Sequence, residues 1–514
     1  MGQNISKTPR TLGVLLHPSS LPNSPVCGTF GAAARDWLRL LAKKGIGVWQ
    51  FLPLATTDKS GSPYSSPSSF SYNPWFLDVD DLVAEGFLAS SVVEDLPGAG
   101  DSNKERVDFA LADLRSQAVG RCLRESWGSQ SSFTQYQFKL WVEKQFWLED
   151  HALFMELRRQ YNEIPWWTWP DSFSKYRKSD LERLKIDCQN RLLEQYLLQW
   201  HLDRQWNVLR KLANELGVVL FGDLPFYVSR DSSDVWSKPA LFSIHHSGDL
   251  HNQSGVPPDY FSDTGQLWGT PVYRWQKHKS SRFRWWRSRF LRHLEQVDLL
   301  RVDHFRALDS CWLVPGNAET AQNGFWSPSP GLKLLSLLSK DLGGKLPLVA
   351  EDLGVITQKV ESLRDYFDLP GMKILQFAFD GNVENPYLPE NIKGNGWIVY
   401  TGTHDNETIV GWWNNLSDES KNFVSSRFVN QVSTPSWQLI ELALSTEAKL
   451  CVVPIQDLLD LDNSCRLNKP GTTTDNWCWR LSSFDCKLVN GLERYAALGK
   501  AYQRSFLDAI SIKV

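Results

Sequence analysis

The chain has no long apolar run. None of its 514 residues belongs to a stretch of membrane-spanning length, so a transmembrane helix is not expected. It also lacks an excess of charge of either sign. The 55 basic and 58 acidic residues leave a net charge of −3, too little to draw nucleic acid or an anionic membrane surface. Cysteine is sparse and scattered. The eight thiols form no C-x-x-C pair and no Cys–His spacing of a zinc site, which argues for reduced thiols in a cytoplasmic chain rather than a disulfide framework. The start, MGQNISKTPR, has no apolar segment of a secretion signal. Gly2 to Ser6 match a myristoylation pattern, but no second anchoring signal accompanies them. Repeats of 20–50 residues and low-complexity tracts are absent as well.

Aromatic residues are plentiful: 24 Trp, 14 Tyr and 26 Phe. Most belong in a core, as does much of the 42% of the chain that is hydrophobic. Indole rings are also the side chains best suited to stacking on the apolar faces of sugars.

Eight short apolar runs recur along the whole length: LGVLL (12–16), IGVWQF (46–51), VVLFG (218–222), DLLRV (298–302), PLVA (347–350), MKILQF (372–377), WIVYT (397–401) and LCVVP (450–454). They lack the polar alternation of half-exposed strands and read as strands buried on both faces of a parallel sheet. Helical patterns lie between them, among them AAARDWLRLLAKKG (32–45) and SSRFRWWRSRFLRHLEQ (280–296). Eight such strands predict an α/β chain, a (β/α)8 barrel. Residues 1–514 are then one catalytic domain with two insertions. A largely helical subdomain at about 76–215 separates the second and third strands. A second insertion at about 223–297 separates the third and fourth strands, and its Gly/Pro-rich segment GVPPDYFSDTGQLWGTP (255–271) reads as a long loop over the barrel mouth.

In such barrels the chemistry sits where strands end and βα loops begin. Those ends carry Asp223 after VVLFG, Asp303 after DLLRV, Glu351 after PLVA, and Asp405 in THDNET after WIVYT. Taken singly, each has a plain structural reading. Asp often caps the helix that follows a strand, His404-Asp405-Asn406 can be a polar turn, and Arg301 can merely neutralise Asp303. The coincidence at successive strand ends favours a shared site. No matching set of His or Cys accompanies the acids, so neither a metal nor a Ser-His-Asp arrangement is expected, and no cofactor is called for.

Converging carboxylates suit glycosidic bond chemistry, in which one acid is ionised and attacks while another holds a proton for the departing oxygen. Asp303 beside Arg301 is biased toward the charged form. Glu351, at the end of an apolar strand and facing other anions, is biased toward the protonated one. The residues therefore assign Asp303 as nucleophile and Glu351 as acid/base. That reading stops at a retaining α-glycoside enzyme.

The motifs go further. SSLPNSPVCGTFG, GVWQFLPL, GSPYSS, FGDLPFYV, GVPPDYFSDTGQLWGTPVY, LLRVDHFRAL, VAEDLG, LPGMKILQFAF, YTGTHDNET and RLNKPGT followed by DNWCWR occur in the order of the amylomaltases. The chain resembles this 4-α-glucanotransferase family, of the α-amylase-like barrel enzymes, nearly end to end. The resemblance implies transfer of α-1,4-glucan segments between maltooligosaccharides, with Asp303, Glu351 and Asp405 as the catalytic carboxylates. It also implies sugar contacts or supporting roles for Tyr64, Asp223, Asp259, Gln266, Trp268, Arg301, His304, His404 and Asn468, and sets no oligomeric state. Two positions depart from the family pattern. Tyr72 stands where a small residue is expected before Asn-Pro, which puts contacts near Tyr64 in question, and Asp263 stands where Glu is frequent. Alternatives are a retaining α-glucan hydrolase, or a barrel that binds glucans without catalysis. A phosphate-binding barrel is disfavoured, because GTFG (28–31) and PGT (470–472) are poor phosphate signatures.

Overall fold

The computed structural model describes residues 10–100, 105–258, 262–428 and 433–505. Among these, twelve strands are formed in chain order: β1 (Thr11–Leu15), β2 (Val48–Gln50), β3 (Val219–Leu224), β4 (Asn252–Val256), β5 (Gln266–Pro271) and β6 (Leu299–Val302). They continue with β7 (Ser310–Pro315), β8 (Phe325–Pro328), β9 (Leu348–Ala350), β10 (Gly371–Ile374), β11 (Trp397–Tyr400) and β12 (Leu450–Pro454). The eight apolar runs are the eight strands of one parallel sheet, ordered β10-β11-β12-β1-β2-β3-β6-β9. The last seam, between β9 and β10, is closed by single bonds. Ala350 N–H donates to the Pro370 carbonyl at 2.9 Å, and Met372 N–H donates to the Asp352 carboxylate at 2.8 Å. The sheet is a barrel.

Its interior follows the two-residue period of a strand. Val219, Phe221, Leu299, Val349, Met372, Ile374, Ile398, Leu450 and Val452 pack together in one buried cluster. Their neighbours Leu220, Leu300, Ala350, Val399 and Cys451 pack outward with the helices.

Between β2 and β3 the chain is mainly helical, through Phe109–Trp127, Ser132–Lys144, Leu148–Gln160 and the helix Gln189–Leu216. That last helix also serves the barrel directly. Its Trp206 ring lies 4.7 Å from Phe30 and 5.3 Å from Phe51, and its indole donates to the Gln296 carbonyl at 2.8 Å. The helix ends on Gly217, whose left-handed φ of 72° glycine adopts without steric cost and which turns the chain into β3.

The segment 255–271 differs from the expected loop. Its flanks are β4 and β5, an antiparallel pair, and the free edge of β4 pairs with β7, which in turn pairs with β8. The result is a four-stranded antiparallel sheet, β5-β4-β7-β8, built from the chain on both sides of β6. All eight cysteines are free. Among the described residues no helix is long and apolar enough to cross a membrane. Gly2 to Ser6 lie outside the described residues.

Candidate active site

The charged residues continue the inward face of the strands. Phe221 is followed two positions later by Asp223, Leu299 by Arg301 and Asp303, and Val349 by Glu351, so the same period that fills the barrel carries these groups to its mouth. β3 and β6 pair Asp223 with Arg301 in register. The guanidinium donates from Nη1 to Asp223 at 2.7 Å and from Nη2 to Asp303 at 2.8 Å. Arg301 and Asp223 are sealed, with side chains 7% and 1% exposed, whereas Asp303 is 30% exposed to the cleft. Burial is the largest influence on the Asp223 carboxyl and pushes it up, against the pull of Arg301 and the Tyr64 hydrogen bond. The Tyr64 hydroxyl donates to the same Asp223 oxygen at 2.6 Å.

Glu351 follows β9, the neighbour of β6. Its Oε2 accepts the backbone N–H of His304 at 2.6 Å and its Oε1 that of Leu353 at 3.1 Å. His304 has a φ of 49°, a conformation that non-glycine residues adopt only when the surroundings impose it. This turn places the residue after Asp303 on the Glu351 carboxylate. Burial, with a further push from Asp303, raises the Glu351 carboxyl to about 7 despite the opposing Arg301.

Asp405 comes from the loop after β11. Burial pushes its carboxyl up, but the His404 imidazole, a hydrogen bond from Asn468 and the charge of Arg301 outweigh that and hold it at about 2. His404 Nε2 lies 3.3 Å from Asp405 Oδ2, and Asn468 Nδ2 donates to Oδ1 at 2.6 Å. The His404 ring stacks on Tyr64, with centroids 5.2 Å apart and planes at 14°.

Trp268 projects from β5, edge-on to His304 with ring centroids 4.8 Å apart, and its indole donates to the exposed Gln266 at 3.2 Å. Tyr64, Trp268, Asp303, His404, Asp405 and Asn468 line one cavity of about 790 Å3, within the size range of small-molecule sites. Asp223, Arg301, His304, Glu351 and Gln266 are not part of that lining; Asp223 is bonded to Tyr64 and Arg301, and Glu351 to the backbone of His304. Asp259 lies outside the described residues. Tyr72 is buried in the core, its ring against Phe30 at 5.9 Å and under the Arg292 guanidinium at 5.0 Å, and its backbone is held both ways by the Gln199 amide; these partners, not Tyr64, explain its size. Asp263 is exposed.

Among the described residues, Asp223 Oδ1 and His304 Nε2 are buried in the site without a hydrogen-bond partner. Burial holds the His304 imidazole down at about 4, so at neutral pH it is uncharged and can hydrogen-bond a hydroxyl. Sequence reading passed over three supporting residues. Tyr227, in FGDLPFYV, packs at 5.8 Å from Trp268. Trp477, in DNWCWR, lies 5.8 Å from Tyr64 and 5.9 Å from His404. Arg466 donates to the carbonyls of Asp405 and Asn468. Each stands in or beside a quoted motif, but nothing in spacing alone distinguishes it from core.

Comparison with known proteins identifies the family. A 4-alpha-glucanotransferase from Synechocystis sp. is 41% identical over 92% of this chain and 94% of its own length, and one from Thermus thermophilus is 39% identical over 96% and 99%. The amylomaltase from Streptococcus agalactiae, solved in complex with acarbose, superposes with a TM-score of 0.90 at 31% identity, covering 96% of this chain and 100% of that one. A family model described as 4-alpha-glucanotransferase matches residues 16–486, and the chain belongs to that family.

Proposed function

We propose that Asp303 attacks the anomeric carbon of an α-1,4-glucan while Glu351 protonates the departing oxygen, leaving a covalent β-glucosyl ester on Asp303. Glu351, then a base, removes the proton from the 4-hydroxyl of an acceptor glucan, and the second inversion restores the α-bond. The observation that carries this assignment is the split between neighbours: Arg301 donates to Asp303, whereas Glu351 is pushed up to about 7 by burial. One acid attacks and the other keeps its proton, as the chemistry needs.

Asp405, ionised and half-exposed, contacts hydroxyls of the sugar undergoing cleavage and stabilises the oxocarbenium-like state with Asp303. His404 and Asn468 orient Asp405. Asp223, sealed beneath the cleft, acts through Arg301 and Tyr64, and the unpartnered His304 Nε2 is assigned to a sugar hydroxyl. Trp268 and Gln266 contact neighbouring glucose units, and Asp259 is assigned the same role. The free thiols fit a cytoplasmic setting.

Transfer requires that a sugar hydroxyl outcompete water for the ester, which acceptor contacts and exclusion of water achieve. Incubation of the pure protein with maltotriose tests the proposal. Free glucose with maltodextrins longer than the substrate is the expected product set; maltose and glucose alone indicate a hydrolase. In the same assay Asp303→Asn, nearly isosteric, loses at least about a thousandfold in rate while keeping the wild-type circular dichroism. Substantial residual turnover removes Asp303 from its role.

A further inference from the structure

We propose that Trp167, carried to the cleft by the insertion between β2 and β3, forms with Arg230 a distal subsite for α-1,4-glucan, several units from the cleaved bond. The proposal rests on the glucan reading of the cleft and gives the insertion a part in it.

Trp167 lies in the tight turn Trp166–Thr168, far in sequence from every strand end, yet it lines the same cavity as Asp303, Asp405 and Trp268. Its position is built. The Trp166 indole donates to the Arg230 carbonyl at 2.8 Å and the Trp166 N–H donates to Asp231 Oδ1 at 3.2 Å. The turn is therefore stapled to the loop that follows β3. The Arg230 guanidinium stands 3.8 Å from the centre of the Trp167 ring. It is itself fixed, donating to the Gly248 carbonyl at 2.9 Å and to Asp249 at 3.2 Å. Gly248 packs against the base of the side chain: a Cβ there would lie 2.3 Å from the Trp167 Cβ.

The indole is thus immobilised before any ligand arrives, so little further ordering entropy opposes stacking. Arg230 desolvates and backs the ring, in cation–π geometry. Ser229 and Asp231, either side of Arg230 in the chain, line the same cavity, as do Ser60 and Ser62. An aromatic surface flanked by hydroxyls and a carboxylate matches a pyranose, which presents C–H groups on its face and hydroxyls on its edge. A short glucan held at Asp303 and Asp405 does not need this position, and a long one gains from it.

Initial rates with maltotriose and maltoheptaose test the subsite. Trp167→Ala is expected to raise KM for maltoheptaose about tenfold, with kcat within twofold and maltotriose kinetics unchanged. Trp167→Phe keeps a ring and recovers most of the loss. Arg230→Ala, which frees the indole without deleting it, gives a smaller rise for maltoheptaose alone and serves if Trp167→Ala does not fold. Equal KM increases for both substrates, or no change for either, overturn the subsite. Failure of the wild type to disproportionate maltotriose overturns instead the activity on which the subsite rests.

Discussion

Arg301 and Asp223 face each other in register across β6 and β3 and are joined at 2.7 Å with almost no solvent access. A buried pair of this kind is costly to form, and removing one partner leaves the other charge stranded. Arg301→Met is expected to destabilise the fold by about 3–5 kcal/mol, measured by denaturant unfolding. Adding Asp223→Asn to that variant removes the stranded charge and recovers part of the loss. If the single variant unfolds like the wild type, Asp223 is protonated and the pair is not ionic.

The acid/base assignment predicts an alkaline limb. Because Glu351 must donate a proton in the first step and its carboxyl lies at about 7, kcat/KM for a maltooligosaccharide falls as pH rises through about 7, approaching a tenfold loss per pH unit beyond it. With an activated aryl glucoside, whose leaving group needs little protonation, the limb for the first step weakens. Glu351→Gln removes it and slows the oligosaccharide far more than the aryl glucoside. Equal losses on both substrates, with the limb intact, assign the titration to another group.

Trp268 offers a test of how water is kept from the ester. Its ring stands edge-on to His304 at 4.8 Å, beside Tyr227, in the wall of the cleft. Trp268→Ala opens that wall and is expected to weaken use of long donors and raise the hydrolysed share of product several-fold. The share is read from reducing ends released against total glucose transferred. An unchanged ratio confines Trp268 to packing His304.

The barrel was legible because strands buried on both faces are written as short unbroken apolar runs, and the carboxylates because they extend the inward period past the strand ends. The antiparallel sheet was not. Its strands NQSGV, QLWGTP, SCWLVP and FWSP are rich in Gly, Pro and Ser and show little apolar alternation. Their pairing also joins the chain before β6 to the chain after it, a long-range choice that local pattern does not encode. For the same reason Trp167 and Arg230 carried no sequence signal: they belong to separate insertions and meet only when the barrel has formed. Tyr72 looked like a perturbation of the sugar site, and only the fold places it against Phe30 and Arg292.

Asp457, just beyond β12, ties down the loop that bears His404 and Asp405. Its Oδ2 accepts from the Thr401 hydroxyl and its Oδ1 from the Ile409 N–H, both at 2.9 Å, so one buried carboxyl fastens both ends of the loop. Burial raises this carboxyl to about 7, although both hydrogen bonds pull it down. An unfolded chain loses the proton near the ordinary carboxylate value, whereas the folded chain keeps it to about 7. Between those values the unfolded state binds fewer protons, and the contribution of this group to stability declines as pH rises. Asp457→Asn cannot titrate and escapes the decline. Relative to wild type the variant therefore gains as pH is raised from about 4 to 7, by on the order of 3 kcal/mol, read as the difference between paired denaturant unfolding curves. A difference that stays flat with pH means that Asp457 is already ionised in the folded protein and holds the loop as a carboxylate.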